Sequence, residues 1–372
     1  MLDSPSKCRK TGQDGACVKR IVDAPYNDSM AASPPEYNVT SINYAQRGHL
    51  RYAGPIIDIH AHVLQTRPDD PPGGPPKGSG PGASIAQAET MLAVGREFGI
   101  TQTVTMCFAE DIPVLRERFG NALLFNGMIT KKTADEPDDT VYRLLDSFLG
   151  HGVKMIKFWS APRGRERGLF VDAPWRIESA KRARAAGVKI IMVHVADPDA
   201  WFRTVYADVA KFGAKPEQYV GFERMMQMFP DMTWIGAHMC GDPEHPDHLE
   251  GLLEKYPQLL IDTSATKWQV REVSPRRGAI RSLITRYPDR FLFGTDLVTR
   301  HTLEREHYAS RYWCQRTLWE SSWQGQSPIA DPDFTPADGQ PITPMLRGVG
   351  LPLDVLQMVY HDNAARLLGK AR

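Results

Sequence analysis

His60 and His62 stand two apart at the close of the run Ile56-Ile57-Asp58-Ile59-His60-Ala61-His62-Val63. An extended strand sends residues i and i+2 to one face. Two imidazoles at that spacing project side by side, an arrangement suited to holding a divalent metal ion. More residues of ligand or acid–base type close later apolar runs. Lys157 lies near the end of Val153-Lys154-Met155-Ile156-Lys157-Phe158-Trp159, and His194 ends Val188-Lys189-Ile190-Ile191-Met192-Val193-His194. His238 ends Thr233-Trp234-Ile235-Gly236-Ala237-His238, and Asp296 follows Arg290-Phe291-Leu292-Phe293-Gly294-Thr295. Any one of them alone reads as a hydrogen-bonded polar residue of the core. Three separate runs closing in His and a fourth in Asp ask for a common cause.

That cause is an element order that brings several strand ends together. Eight short apolar runs, at 55–60, 102–107, 122–128, 153–158, 188–194, 232–238, 259–262 and 290–294, read as strands. Amphipathic stretches at 84–98, 140–149, 174–186, 243–255 and 278–287 read as helices between them. Gly99, the Gly150-His151-Gly152 group and Gly187 sit just past helical segments, where a left-handed cap is expected. Strands alternating with helices predict parallel βαβ units. Eight of them predict an α/β fold closed as a (β/α)8 TIM barrel, with the open doubly wound sheet as the alternative. In such a barrel the reacting groups come from the C-terminal ends of the strands, so residues distant in sequence converge.

Two segments interrupt the alternation. Residues 67–82 are rich in Pro and Gly, cannot hold regular structure, and leave the strand that carries His60 and His62. Residues 298–350 form a long insertion containing Trp313, Trp319 and Trp323 at helical spacing. That spacing favours a core role, while departure from a strand end makes a lid or pocket wall the alternative. Residues 1–52 are expected to form an irregular N-terminal extension, and 53–372 the barrel domain.

The composition narrows the partners. Of 372 residues 42% are hydrophobic and 24% charged, and the formal net charge is +1. Nothing in that balance suits a nucleic acid or an anionic membrane surface, and the apolar runs are far short of a transmembrane span. The 5 cysteines (Cys8, Cys17, Cys107, Cys240, Cys314) are dispersed without a CxxC pair, which fits a reducing, cytoplasmic setting.

With the tail Asn363-Ala364-Ala365-Arg366-Leu367-Leu368-Gly369 added, these motifs resemble the amidohydrolase superfamily. Within it the chain is similar to the amidohydrolase-2 branch, a mixture of metal-dependent hydrolases and nonoxidative decarboxylases like aminocarboxymuconate-semialdehyde decarboxylase. The resemblance spans about residues 54–369. It implies one divalent metal ion, Zn²⁺ first and Mn²⁺ as the alternative, held by His60, His62, His194 and Asp296. His238 then stands beside the bound water as the catalytic base or polarising group, and Asp296 is a second candidate to take the proton. The metal would lower the pKa of that water and make hydroxide available. Binuclear relatives carry a carboxylated lysine on the fourth strand, a role Lys157 is placed for, and it would bring a second metal. The alternative is an ammonium that binds a substrate carboxylate. Arg163, in the loop after that strand, is a candidate to hold a carboxylate bidentately, or else a solvated loop residue. Asp58 shares the side-chain parity of His60 and is a candidate second support for a ligand imidazole. His245 and His248 read as part of a helix start in water.

The expected activity is hydrolysis of an amide, ester or lactone. The alternative is decarboxylation of an aromatic or enol acid, and a non-catalytic barrel is the third. The substrate is expected to be a small molecule, and the resemblance makes a homodimer the expected assembly.

Overall fold

The computed structural model describes residues 36–64, 85–334 and 343–370. The Pro/Gly-rich segment 67–82, Cys8, Cys17 and the extension up to residue 35 lie outside these. Parallel strands make one curled sheet: β1 (Ile56–His62), β2 (Ile100–Met106), β3 (Leu123–Ile129), β4 (Met155–Trp159), β5 (Ile190–His194), β6 (Thr233–Gly236), β7 (Leu259–Asp262), β8 (Phe291–Leu292) and β9 (Leu297–Val298). Neighbours follow chain order from β1 to β8, and β9 pairs with the free edge of β1. The last two are one strand with a break. Phe291 and Leu292 pair with β7, and Leu297 and Val298 pair with β1. Within the break Ile59 N–H donates to Phe293 O at 2.9 Å and Asp296 N–H to His60 O at 2.8 Å. The sheet therefore closes on itself as a (β/α)8 barrel, with no free edge to protect.

Two apolar clusters follow from the alternation of side chains. Ile57, Ile59, Val104, Met155, Ile190, Met192, Ile235 and Leu292 fill the lumen, and the outward positions pack under the helices in a second, larger cluster. The C-terminal helix Asn363–Lys370 closes the floor of the lumen with Ala364, Leu367 and Leu368. Leu367 and Leu368 are each 7% exposed, and burial of each contributes about 1.5–3 kcal/mol. Asn363 fixes the plug by donating to Pro288 O at 2.8 Å and Phe291 O at 2.9 Å.

The strand β1 departs from strict alternation. Ile57 and Ile59 belong to the lumen, yet Ala61 and Val63, of the same parity, belong to the outer cluster. Its register against β2 slips between Asp58 and Ala61. A slip of this kind re-aims side chains at a strand end, and it turns His60 and His62 inward. It also removes the parity shared by Asp58 and His60. Asp58 instead accepts from the backbone N–H groups of His60 and Thr295, each at 3.1 Å, and from Thr295 Oγ1–H at 2.6 Å.

The insertion is not a lid in its helical part. Trp313 and Trp319 of the helix Arg305–Glu320 are 2% and 0% exposed and lie in the outer core. Gln315, on the same helix, reaches the ends of two strands: its amide donates to Gly294 O at 2.7 Å and to Thr263 O. The helix thus stands in the layer around the barrel and braces it. Residues 36–52 contain no helix or strand, and Tyr44 and Tyr52 are buried in the same core. Arg316 and Glu320 tie down Tyr52, whose carbonyl accepts from Arg316 at 2.6 Å and whose N–H donates to Glu320 at 3.0 Å.

Candidate active site

Of the sequence-derived candidates, His60, His62, Lys157, His194, His238 and Asp296 lie at the C-terminal rim of the lumen. His60 is the hub. Its Nε2 is 2.6 Å from Lys157 Nζ and 3.2 Å from Asp296 Oδ1, and its Nδ1 is 2.8 Å from Asp262 Oδ2. His62 brings its Nε2 to 3.0 Å from the same Asp296 Oδ1. The His60 and His238 rings lie 4.8 Å apart, and those of His238 and His194 lie 4.7 Å apart. His194 spends its Nε2 on Asp197 Oδ1 at 2.7 Å, and Asp197 Oδ2 accepts from Tyr206 O–H at 2.6 Å. His60, His62, His238, Lys157 and Asp296 are therefore gathered together. His194 is one ring further out, with Nδ1 as its remaining nitrogen.

Irregular backbone places these groups. β6 ends at Gly236, two residues short of the expected end, and the chain then makes a left-handed turn. His238, Met239, Cys240 and Gly241 have φ of 57°, 55°, 56° and 69°. Non-glycine residues adopt this region at a cost of about 1–2 kcal/mol each. Tertiary contacts hold the turn: Asp262 Oδ1 accepts from His238 N–H at 2.8 Å, and Cys240 O accepts from Tyr219 O–H at 3.1 Å. Gly241 is required by space as well as by φ, since a Cβ there would lie 1.9 Å from Ala196 O. Asp296 is another left-handed residue, at φ 56°, in the break of the last strand.

The protonation states of His62, His238 and Asp296 suit metal binding, whereas for His60 burial lowers the imidazole but the facing Asp262 and Asp296 outweigh it and raise it. Burial pushes His62 down to about 4, so it is a neutral imidazole at ordinary pH. Burial likewise keeps His238 well below the usual histidine range and lowers Lys157. For Asp296, burial opposes ionisation, but the facing His238 and His60 imidazoles and the contact with His62 Nε2 outweigh it and hold the carboxyl well below its usual range. Asp58 is pushed up to about 7 by burial. Ligands must be deprotonated to bind. His60, His238 and Asp296 each offer a donor atom, all within 4.8 Å of one another. Imidazoles with a carboxylate form a donor set suited to Zn²⁺ or Mn²⁺. The residues present fit a divalent ion, with Lys157 competing for the Nε2 lone pair of His60.

Indoles wall the site. Trp268 lies 5.6 Å from the His238 ring and 6.0 Å from that of His194, Trp159 lies 6.2 Å from His194, and Trp201 lies 5.5 Å from Trp268. Arg163 is exposed in the turn Pro162–Arg167 after β4, with its guanidinium 5.7 Å from the centre of the Trp201 ring. His245 and His248 lie apart from the rim cluster, paired with Asp199 at 2.9 Å and Asp242 at 2.6 Å. Lys215 sits among Asp199, Asp242 and Glu244.

Sequence reasoning missed Asp262, Ser264 and Trp268. Asp262 carried a usable signal, because it closes the run 259–262 as the other candidates close theirs. Ser264 and Trp268 follow it in a loop and a helix whose approach to the rim depends on the fold.

Residues 57–370 match the amidohydrolase family. No curated protein matches the chain. Solved structures similar to it include 4-oxalomesaconate hydratase from Rhodopseudomonas palustris, at 17% identity over 85% of this chain and 96% of that one, TM-score 0.47. Another is 5-carboxyvanillate decarboxylase from Sphingomonas paucimobilis, at 14% identity over 85% and 99%, TM-score 0.47. A third is a dihydroxybenzoic acid decarboxylase from Polaromonas with bound manganese and 2-nitroresorcinol, at 12% identity over 86% and 98%, TM-score 0.49. From the family match over most of its length, the chain belongs to the amidohydrolases, as an enzyme of that superfamily.

Proposed function

We propose that this enzyme is a metal-dependent carboxy-lyase that removes CO₂ from a small planar acid, aromatic or enolic, without redox chemistry. The observation that carries the reading is the indole wall of Trp159, Trp201 and Trp268 around His194 and His238. Aromatic side chains in edge and face arrangements favour a flat, π-rich ligand over an sp³-rich ring. Arg163, whose guanidinium lies 5.7 Å from the centre of the Trp201 ring, is the group we assign to a substrate carboxylate. A divalent ion held by His60, His62 and Asp296 would supply positive charge to a phenol or enol oxygen of the substrate.

The chain's own groups do the rest. His238, held neutral, takes the O–H proton of the substrate. The charge left behind spreads to the carbon that carries the carboxylate. The proton on His238 goes to that carbon. The C–C bond to the carboxylate then breaks, its electron pair restores the ring or enol π system as CO₂ leaves, and a solvent proton restores the hydroxyl.

Hydrolysis of an amide, ester or lactone is a second reading, favoured by Asp296. Its side chain is 30% exposed, so its carboxylate is open to a water molecule. Incubating the metal-loaded enzyme with aromatic and enolic acids, and separately with lactones, esters and amides, decides between them. Release of CO₂ from the acids is expected, and turnover in the second panel alone refutes the carboxy-lyase reading.

A further inference from the structure

Asp262 and Ser264 belong to no reacting group, yet both histidines at the heart of the site lean on them. Asp262 Oδ2 faces His60 Nδ1 at 2.8 Å. Asp262 Oδ1 receives Ser264 Oγ–H at 2.5 Å, Ser264 N–H at 3.0 Å and His238 N–H at 2.8 Å. Ser264 Oγ lies 2.8 Å from His238 Nδ1 and 3.0 Å from His60 Nδ1. Asp262 is 0% exposed and Ser264 is 0% exposed, so no water competes for these positions.

A serine hydroxyl has a single proton. Here it goes to the carboxylate, the stronger acceptor at the shorter distance, in a charge-assisted bond. Ser264 Oγ then has only lone pairs to offer, so the imidazole nitrogen 2.8 Å away must supply the proton. His238 is therefore protonated at Nδ1. The same reasoning applies to His60: its Nδ1 faces a carboxylate oxygen at 2.8 Å, while the nearest partner of its Nε2 is the donor Lys157 Nζ at 2.6 Å, with Asp296 Oδ1 further off at 3.2 Å. We infer that Asp262 is a positioning residue that locks both His60 and His238 in the Nδ1–H tautomer, acting on His60 directly and on His238 through Ser264.

The consequence is a lone pair at Nε2 of both rings. On His60 that lone pair faces Lys157 Nζ and Asp296, where the metal ligands gather. On His238 it leaves Nε2 as a proton acceptor. One carboxylate thus prepares a metal ligand and a base at the same time, and the branch to the base runs through Ser264. A carboxylate behind a ligating histidine raises its basicity and fixes its ring. The inference concerns the rings themselves and holds for decarboxylation and for hydrolysis alike.

The test uses the full, metal-loaded chain with 15N-labelled histidine. Nitrogen NMR reads which ring nitrogen of each histidine carries the proton, with His60→Gln and His238→Gln used to assign the signals. Nδ1–H is expected for both rings. In Ser264→Ala the His238 signal is expected to change while that of His60 stays. Metal affinity should remain within about 3-fold, and kcat should fall by roughly 10-fold or more with KM little changed, because wrong tautomers disable a base. In Asp262→Asn both signals should change and metal affinity should fall by about 10–100-fold. A wild-type spectrum with the proton on Nε2 of either ring overturns the inference. So does a Ser264→Ala spectrum identical to wild type, or a Ser264→Ala loss of metal as large as that of Asp262→Asn. If Asp262→Asn does not fold, the wild-type and Ser264→Ala spectra still decide. An enzyme that releases no CO₂ leaves these spectra unaffected, so the two ideas fail separately.

Discussion

Gln315 offers the sharpest test of how the barrel rim is held. Its side-chain amide is fully buried on the helix Arg305–Glu320 and donates to Gly294 O at 2.7 Å and to Thr263 O. Thr263 follows Asp262, and Gly294 lies two residues before Asp296, so this one amide pins the chain beside both carboxylates. Gln315→Leu keeps the volume and removes the donor. Two buried carbonyls lose a partner, at about 1–3 kcal/mol each, or about 2–6 together. Part of this is offset, because Gln315 Oε1 is already buried without a hydrogen-bond partner. Removing that oxygen returns about 1–3 kcal/mol, and the leucine adds about 1 kcal/mol of apolar burial. The losses win, and a net destabilisation of about 1–2 kcal/mol is expected. Urea unfolding measures it as a lower midpoint with an unchanged slope. The functional effect should exceed the stability effect, since a shift of about 1 Å in a reacting group costs on the order of 10²-fold in rate. Metal affinity by equilibrium dialysis and turnover of whichever acid releases CO₂ measure that part. Glu306→Ala, exposed near the start of the same helix, serves as the control. Unchanged unfolding midpoint and metal affinity in Gln315→Leu refute the bracing role. Lost stability with normal metal binding and turnover shows that the strand ends keep their places unaided.

Other expectations follow from the same geometry. His62→Ala should lose the metal while His238→Ala keeps about one ion per chain and loses turnover, read by elemental analysis; metal loss in His238→Ala makes that residue a ligand. Lys157→Met should leave one ion bound if the lysine is an ammonium, whereas wild-type binding near two ions that falls in the variant identifies a carboxylated bridge. Gly241→Ala combines φ of +69° with a Cβ placed 1.9 Å from Ala196 O. It should cost about 3 kcal/mol or more, and a wild-type melting temperature contradicts that. Lys215 titrates above its ordinary value of 10.5: burial lowers it, and the facing Asp242 and Glu244 more than compensate. Its folded pKa is raised, so its stabilisation is complete below 10.5 and is lost as pH rises through the folded value. The stability difference between wild type and Lys215→Met should therefore shrink above pH 10.5, and a gap that widens there contradicts the assignment.

What could be read before folding and what could not divide along one physical line. The eight strands and their order were legible because each is buried on both faces and so reads as a short apolar run between amphipathic helical stretches. The rim residues His60, His62, His194, His238 and Asp296 were legible as a group because each closes an apolar run. Three things about them were not. Asp58 was assigned the parity of His60, and the slip in β1 between Asp58 and Ala61 cancels it. His238 was placed at a strand end, and a left-handed turn carries it there instead. The final strand was read over 290–294 with Asp296 just past its end, whereas the strand resumes at Leu297 and its break at 293–296 sets Asp296 at φ 56°. The insertion was read correctly at its helix: helical spacing favoured a core role for Trp313 and Trp319, although it did not name the neighbour that buries them. The three backbone failures share a cause. A regular strand sends alternate residues inward and continues in line, so its own geometry cannot turn consecutive functional groups on one small volume. Each departure re-aims a side chain that the pattern would have pointed elsewhere, at a cost the surrounding contacts must meet. The irregular positions at the ends of β1, β6 and the last strand are therefore themselves a mark of the site. They explain why a pattern strong enough to give the barrel falls short at the residues that do its chemistry.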